Sequence, residues 1–251
     1  MTAGEVIEMA AKTAVKTTND LSVNASEILT KAFKEVGLEF GFEKVEAEYS
    51  AFKEFKVRWQ RSYKWADFKV SDYLEDAPEE IVRDLAKTLF GKITGDDAEG
   101  YPQAMCDHIT SPEFVKRNQP VYLKRCRNIT KSSKSEDGRD LKDSANRLIE
   151  MGLITKKDIK NVQFRWTKES NIRKIGNCSV LMKVVTISSI LDTDMIPEFV
   201  LDYCLYHEMC HLIIGFDPTA KAHGEKFSVL EDKYPKKAES VEWLKRLCLY
   251  L

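Results

Sequence analysis

Toward the C-terminal end of the chain, Val200, Leu201, Cys204, Leu205, Met209, Leu212 and Ile213 recur at helical spacing and form one apolar stripe. Pro197 stands where a first helical turn tolerates proline, Asp194 is a candidate cap, and Gly215 with Asp217-Pro218 supplies a stop. The same periodicity predicts helices over residues 4–18, 25–36 (after an Asn24 cap), 42–55 and 140–151. A last helix over 238–251 would bury Val241, Trp243, Leu244 and Leu247. A β-rich run over 182–190 predicts a strand beside the Pro197 helix.

One arrangement recurs along the chain. Val57-Arg58-Trp59, Phe68 to Ser71 and Pro78 to Val82 resemble Phe164-Arg165-Trp166, Val185 to Ser188 and Pro197 to Leu201, each set suggesting a strand hairpin that leads into a Pro-initiated helix. Superposing the two prolines puts Thr88 opposite His207 and Lys92 opposite His211. The pattern admits a degenerate duplication whose first copy has none of the metal ligands, and equally a constraint shared by two similar folds.

Composition changes this picture little: 43% hydrophobic and 31% charged residues suffice for one sizeable core or two small ones. The first residues are interrupted by Glu5, Glu8 and Lys12, so they read as neither a signal peptide nor a membrane span, and a cytoplasmic location is expected. Cysteines at 106, 126, 178, 204, 210 and 248 have no paired spacing and are expected as thiols, with Cys210 packing in the core. A net charge of −1 predicts no strong global attraction to nucleic acid or membrane. Residues 116–134 nevertheless hold seven Lys or Arg and no acid, so Lys116, Arg117, Lys124, Arg125 and Arg127 are candidates for a weak nucleic-acid contact. The alternative, a solvated loop leading to the 140–151 helix, is favoured because a single basic run in a neutral chain is weak evidence.

Candidate chemistry is concentrated on the Pro197 helix. His207-Glu208-Met209-Cys210-His211, with His223 downstream, contains three of the four histidines of the chain. Positions four apart share a helix face, so His207 and His211 can address one ion, with zinc the expected guest, one per chain. Glu208 lies alongside, placed to act as general base toward water polarised by that ion. A catalytic site usually wants a third protein ligand and an open position. His223 is the best donor by chemistry, Asp217 sits at a spacing used after a tight glycine turn, and Glu225 is a weaker candidate.

Tyr206 to His211, followed by His223-Gly224-Glu225-Lys226-Phe227, resembles the SprT-like zinc metallopeptidases and their YgjP-like relatives. In that family a His-Gly-x-x-Phe segment supplies the third histidine, and a Gly-Ser-Cys box precedes a strand and a Pro-led active-site helix. Here Ile175-Gly176-Asn177-Cys178-Ser179 stands in the place of the box. The resemblance covers about residues 162–235. Ile175 and Asn177 replace the usual aromatic and serine, and no Cys-x-x-Cys pair follows. It implies a peptidase with His207, His211 and His223 as ligands and Glu208 as base, acting on proteins or peptides held along an edge strand. DNA-associated proteins are among the substrates it suggests.

The fold class expected is α+β: a zincin-like domain over 161–251, with its active-site helix beside a small antiparallel sheet. It is preceded by a helical extension over 1–55 and an α+β region over 56–160. The competing readings are a noncatalytic binding or scaffold protein stabilised by zinc, and a latent peptidase inhibited by its N-terminal region.

Overall fold

A computed structural model describes residues 24–96, 100–135 and 138–247. The protein is α+β and divides into two units, Met1–Ile109 and Thr110–Leu251. The boundaries expected at 55/56 and 160/161 therefore fall inside units rather than between them. Among the described residues, no helix is long and apolar enough to cross a membrane.

The first unit begins with helix α1 over residues 24–39. Strands β1 (Lys44–Ser50), β2 (Val57–Arg61) and β3 (Trp65–Ser71) follow, then α2 (Glu79–Thr94) and α3 (Gln103–Thr110), which runs to the boundary. The helix expected over 42–55 is instead β1. Lys44, Glu46 and Glu48 alternate with the inward Val45, Ala47 and Tyr49, a period of two that a helix cannot use to bury one face. Sheet order is β1-β3-β2, with β1 parallel and β2 antiparallel to β3. Phe33 of α1, Phe68 of β3 and Phe90 of α2 build the core, with ring centroids 4.9 Å apart for Phe33–Phe68 and 5.1 Å for Phe68–Phe90. The helix expected over 4–18 lies outside the described residues.

The second unit repeats this order. After α4 (Pro112–Arg125), α5 (Leu141–Glu150) leads into β4 (Gln163–Trp166), β5 (Gly176–Ser179) and β6 (Val184–Ile187). Helices α6 (Glu198–Ile214), α7 (Glu225–Glu231) and α8 (Lys237–Lys245) complete it. Sheet order is β4-β6-β5, with β4 parallel and β5 antiparallel to β6. Lys44 pairs with Trp65 and Gln163 with Val184, the same separation along the chain. Ser71 and Ser188 each open a short 3₁₀ turn, and Pro78 and Pro197 each stand at the N-cap of the next helix. Two sequence equivalences, Phe68–Ser71 with Val185–Ser188 and the two prolines, thus coincide with the topology. The third does not: Val57–Trp59 lies on β2, whose counterpart is β5, whereas Phe164–Trp166 lies on β4, the counterpart of β1. Aromatic-basic triplets in extended backbone look alike whichever strand they occupy.

Two expectations about the sheet also change. It is mixed rather than antiparallel, because the chain crosses from β4 to the far edge and only then returns to the centre. The strand expected over 182–190 is the central β6, buried along its length, so the exposed edge nearest α6 is β5, formed by the Gly-x-Cys box itself.

Helix α6 is held from several sides. Ser144 Oγ of α5 donates to the buried Asp202 Oδ1 (2.5 Å), and Arg147 donates to both carboxylate oxygens (Nε 2.8 Å, Nη2 2.7 Å). Tyr206 Oη donates to the Leu230 carbonyl and Tyr234 Oη to that of Phe199 (2.7 Å each), tying the chain after the motif back onto α6. Gly215 ends the helix at φ +83°, a left-handed conformation suited to glycine.

Candidate metal centre

His207 and His211 project from one face of α6, and the turn before α7 brings His223 to them. Their ring centroids are 5.0–5.4 Å apart. One ligand nitrogen from each lies within 4.8 Å of the others, and among the described residues no fourth His, Cys, Asp or Glu joins this group. Tetrahedral zinc with Zn–N bonds of about 2.0–2.1 Å wants nitrogens roughly 3.4 Å apart, so small side-chain rotations close the set. The donors, three borderline imidazoles on one side, fit zinc. Phe227 of α7 packs its ring against all three imidazoles, with centroids at 4.5–4.9 Å, and leaves them little freedom to turn away.

The other ligand candidates stand elsewhere. Asp217 is exposed, and its Oδ1 accepts from the Thr219 amide, the Thr219 hydroxyl and the Ala220 amide, closing its own turn. Glu225 is exposed at the start of α7 and outside the group.

Protonation favours metal binding. Burial, with the neighbouring His207 and His223, pushes the His211 imidazole down to about 4, so it is a neutral donor at pH 7. His207 Nδ1 lies 2.6 Å from Glu231 Oε1, which places the proton on Nδ1 and leaves Nε2 free to ligate. Burial alone would raise Glu231, but hydrogen bonds from Lys237, His207 and Tyr203 hold it below its ordinary value. Sequence reasoning did not find Glu231. A Glu on the helix after the third histidine is a faint signal, and only the crossing of α6 and α7 brings it to His207.

Glu208 is buried, and that burial raises its carboxyl to about 7 against a partly opposing Lys174 charge. Gly176 of β5 lies directly against it: a Cβ there would stand 2.8 Å from Glu208 Cδ and closer still to Oε1. A side chain at 176 would displace the Glu208 carboxyl, so close approach rather than an unusual φ favours glycine here and sets the edge strand against the catalytic candidate. A pocket of about 520 Å³ opens beside them, with apolar walls from Ile172, Ile175, Val241 and Leu244 and with Lys174 at its rim. Cys178, also on β5, is pushed well above the ordinary thiol range by burial and by Glu208. Cys210 is fully buried in the core, its thiol raised to about 12 by burial.

The basic run is not the loop that was expected. Lys116, Arg117, Lys124 and Arg125 lie on α4, which Ser111 caps by accepting from the Phe114 amide; only Arg127 and the residues after it are in irregular structure.

No protein-family model matches the chain, and neither does any curated protein or solved structure.

Proposed function

We propose that the protein is a zinc-dependent metallopeptidase of zincin type, built on the second unit. The observation that carries this reading is the convergence of His207, His211 and His223 with, among the described residues, no fourth protein ligand, next to a buried Glu208 on the same helix. A structural site would be closed by a fourth side chain, whereas three ligands and an open side suit catalysis. Zinc bound there would supply a Lewis acid that acidifies water and polarises a substrate carbonyl.

The residues of the chain do the rest. Glu208, with its carboxyl near neutral pH, takes a proton on a carboxylate oxygen and returns it to the leaving amine. Glu231 holds the His207 ring by its Nδ1 proton, and Phe227 fixes all three rings from behind. The outer edge of β5, unpaired among the described residues, offers backbone groups to an extended peptide, and the pocket beside Gly176 takes one side chain. The first unit repeats the topology with Thr88, Leu89 and Lys92 where the second has His207, Glu208 and His211, so it is assigned no catalytic part.

The test is a Glu208→Gln variant assayed on an unfolded protein substrate, alongside metal content by elemental mass spectrometry. One zinc per chain retained with cleavage lost is the expected result. Cleavage at the wild-type rate would overturn the mechanism, and absence of zinc from the wild type after zinc is supplied would overturn the metal site.

A further inference from the structure

The β2–β3 hairpin of the first unit brings exposed aromatic rings and basic side chains together. From Lys56 to Trp65 the sequence is Lys-Val-Arg-Trp-Gln-Arg-Ser-Tyr-Lys-Trp, with cations at 56, 58, 61 and 64 and no acid. Three large aromatic side chains here are exposed: Trp59 (47%), Tyr63 (88%) and Trp65 (41%). Lys64 is paired with Glu43, while among the described residues Lys56, Arg58 and Arg61 have no carboxylate partner. Lys56 and Arg58 lie over the Phe52 ring instead, at 5.0 and 5.3 Å.

Register decides how these groups are presented. Trp59 pairs with Phe68 and Arg61 with Ala66, so this Trp and Arg share one face. Arg58 pairs with Lys69, which places it on the opposite face with Trp65. Each face of an edge hairpin therefore carries one indole and one guanidinium, with Tyr63 at the tip between them.

Cations alone on an edge strand are the ordinary defence against unwanted strand pairing. Three exposed rings beside them are the opposite of a defence, since they add sticky surface where charge is meant to repel. Rings and unpaired cations together match a ligand that has both a negative backbone and flat apolar faces. We propose that this hairpin binds single-stranded nucleic acid, its bases stacking on Trp59, Tyr63 and Trp65 and its phosphates meeting Lys56, Arg58 and Arg61. A single strand is favoured over a duplex because the groups face both ways around a narrow tip. A flexible strand can wrap that tip, whereas a duplex, stiff over about 150 base pairs, reaches one face only. The residues of this site are none of those of the candidate metal centre or of the basic run on α4.

The experiment is fluorescence anisotropy of the full-length protein with labelled oligo-dT and with a duplex of equal length, across a salt series. Tight oligo-dT binding is expected, with quenched Trp emission and a log–log salt slope of about −2 for three phosphate contacts. Trp59→Ala and Trp65→Ala should each weaken binding about tenfold. Arg58→Ala with Arg61→Ala should weaken it and flatten the salt slope, with the circular dichroism spectrum unchanged in every variant. Charge reversal at Lys124 and Arg125 should leave it unaltered. The proposal is overturned by no binding at low salt, by a preference for duplex, by equal affinity for poly-glutamate or for anionic vesicles, or by folded tryptophan variants that bind as the wild type does.

Discussion

Glu208 carries a carboxyl in a place that disfavours its charge, and the consequence is measurable without any substrate. Its value is raised from 4.5 to about 7 in the metal-free fold. A raised value means that the folded state holds the proton more tightly than the unfolded chain does. That contribution is fully present below about pH 4.5 and lost as pH rises through about 7, and it amounts to roughly 3 kcal/mol at most. Metal-free Glu208→Gln should therefore gain stability over metal-free wild type as pH rises across this window, with a constant difference above it, as read by urea unfolding at a series of pH values. A difference that does not vary with pH would mean that the carboxyl is not buried as described. Glu231 acts at one remove, through the His207 Nδ1 proton. Glu231→Gln should weaken zinc binding by about 10- to 100-fold, measured by chelator competition, while the fold persists.

Among the elements, α6 has to be rigid for the proposed chemistry, because two candidate ligands and the candidate base ride on it. The Asp202 carboxylate, buried on α6 and bonded by Ser144 and Arg147 of α5, fixes its rotation against the core. Arg147→Ala would leave that carboxylate without its cation and should cost about 2–4 kcal/mol in chemical unfolding, below a fully buried pair because water still reaches Arg147. Replacing both partners by apolar residues of similar volume, Arg147→Met with Asp202→Leu, should cost much less than the single change, since no buried charge is then left unpaired. A double variant as unstable as Arg147→Ala would assign the loss to packing instead.

At the scale of the whole molecule, the second unit contains the three histidines of the candidate metal centre and its own core, from Leu141 on α5 to Leu247 after α8. Residues 110–251 expressed alone should unfold in one cooperative transition and bind one zinc per chain; a fragment that aggregates or binds none would tie the site to the first unit. Much of this unit was legible beforehand, because helical period is a local property. The spacing of His207 and His211, the Pro197 start and the Gly215 stop all follow from residues within a few turns of one another. The α+β class was legible too, as was the helix expected over 140–151, which the structure forms as α5; its cap, the Asp140 carboxylate accepting from the Lys142 amide, came only with the structure. What required tertiary structure was everything set by contacts between distant segments. Residues 42–55 read as helix because charged and apolar residues alternate too briefly to exclude it, and only pairing of β1 with β3 makes the period of two decisive. Which strand is central, why Gly176 has no side chain, and why Glu231 meets His207 all depend on how elements cross. By itself the sequence determined the helix that carries the catalytic candidates and the chemistry of its donors, since both reside in side-chain type and spacing. The tertiary structure decided how the third candidate ligand approaches, which partner orients the first, the burial that moves the candidate base toward neutral pH and the edge that faces it, since each is set by the distance between segments far apart in the chain.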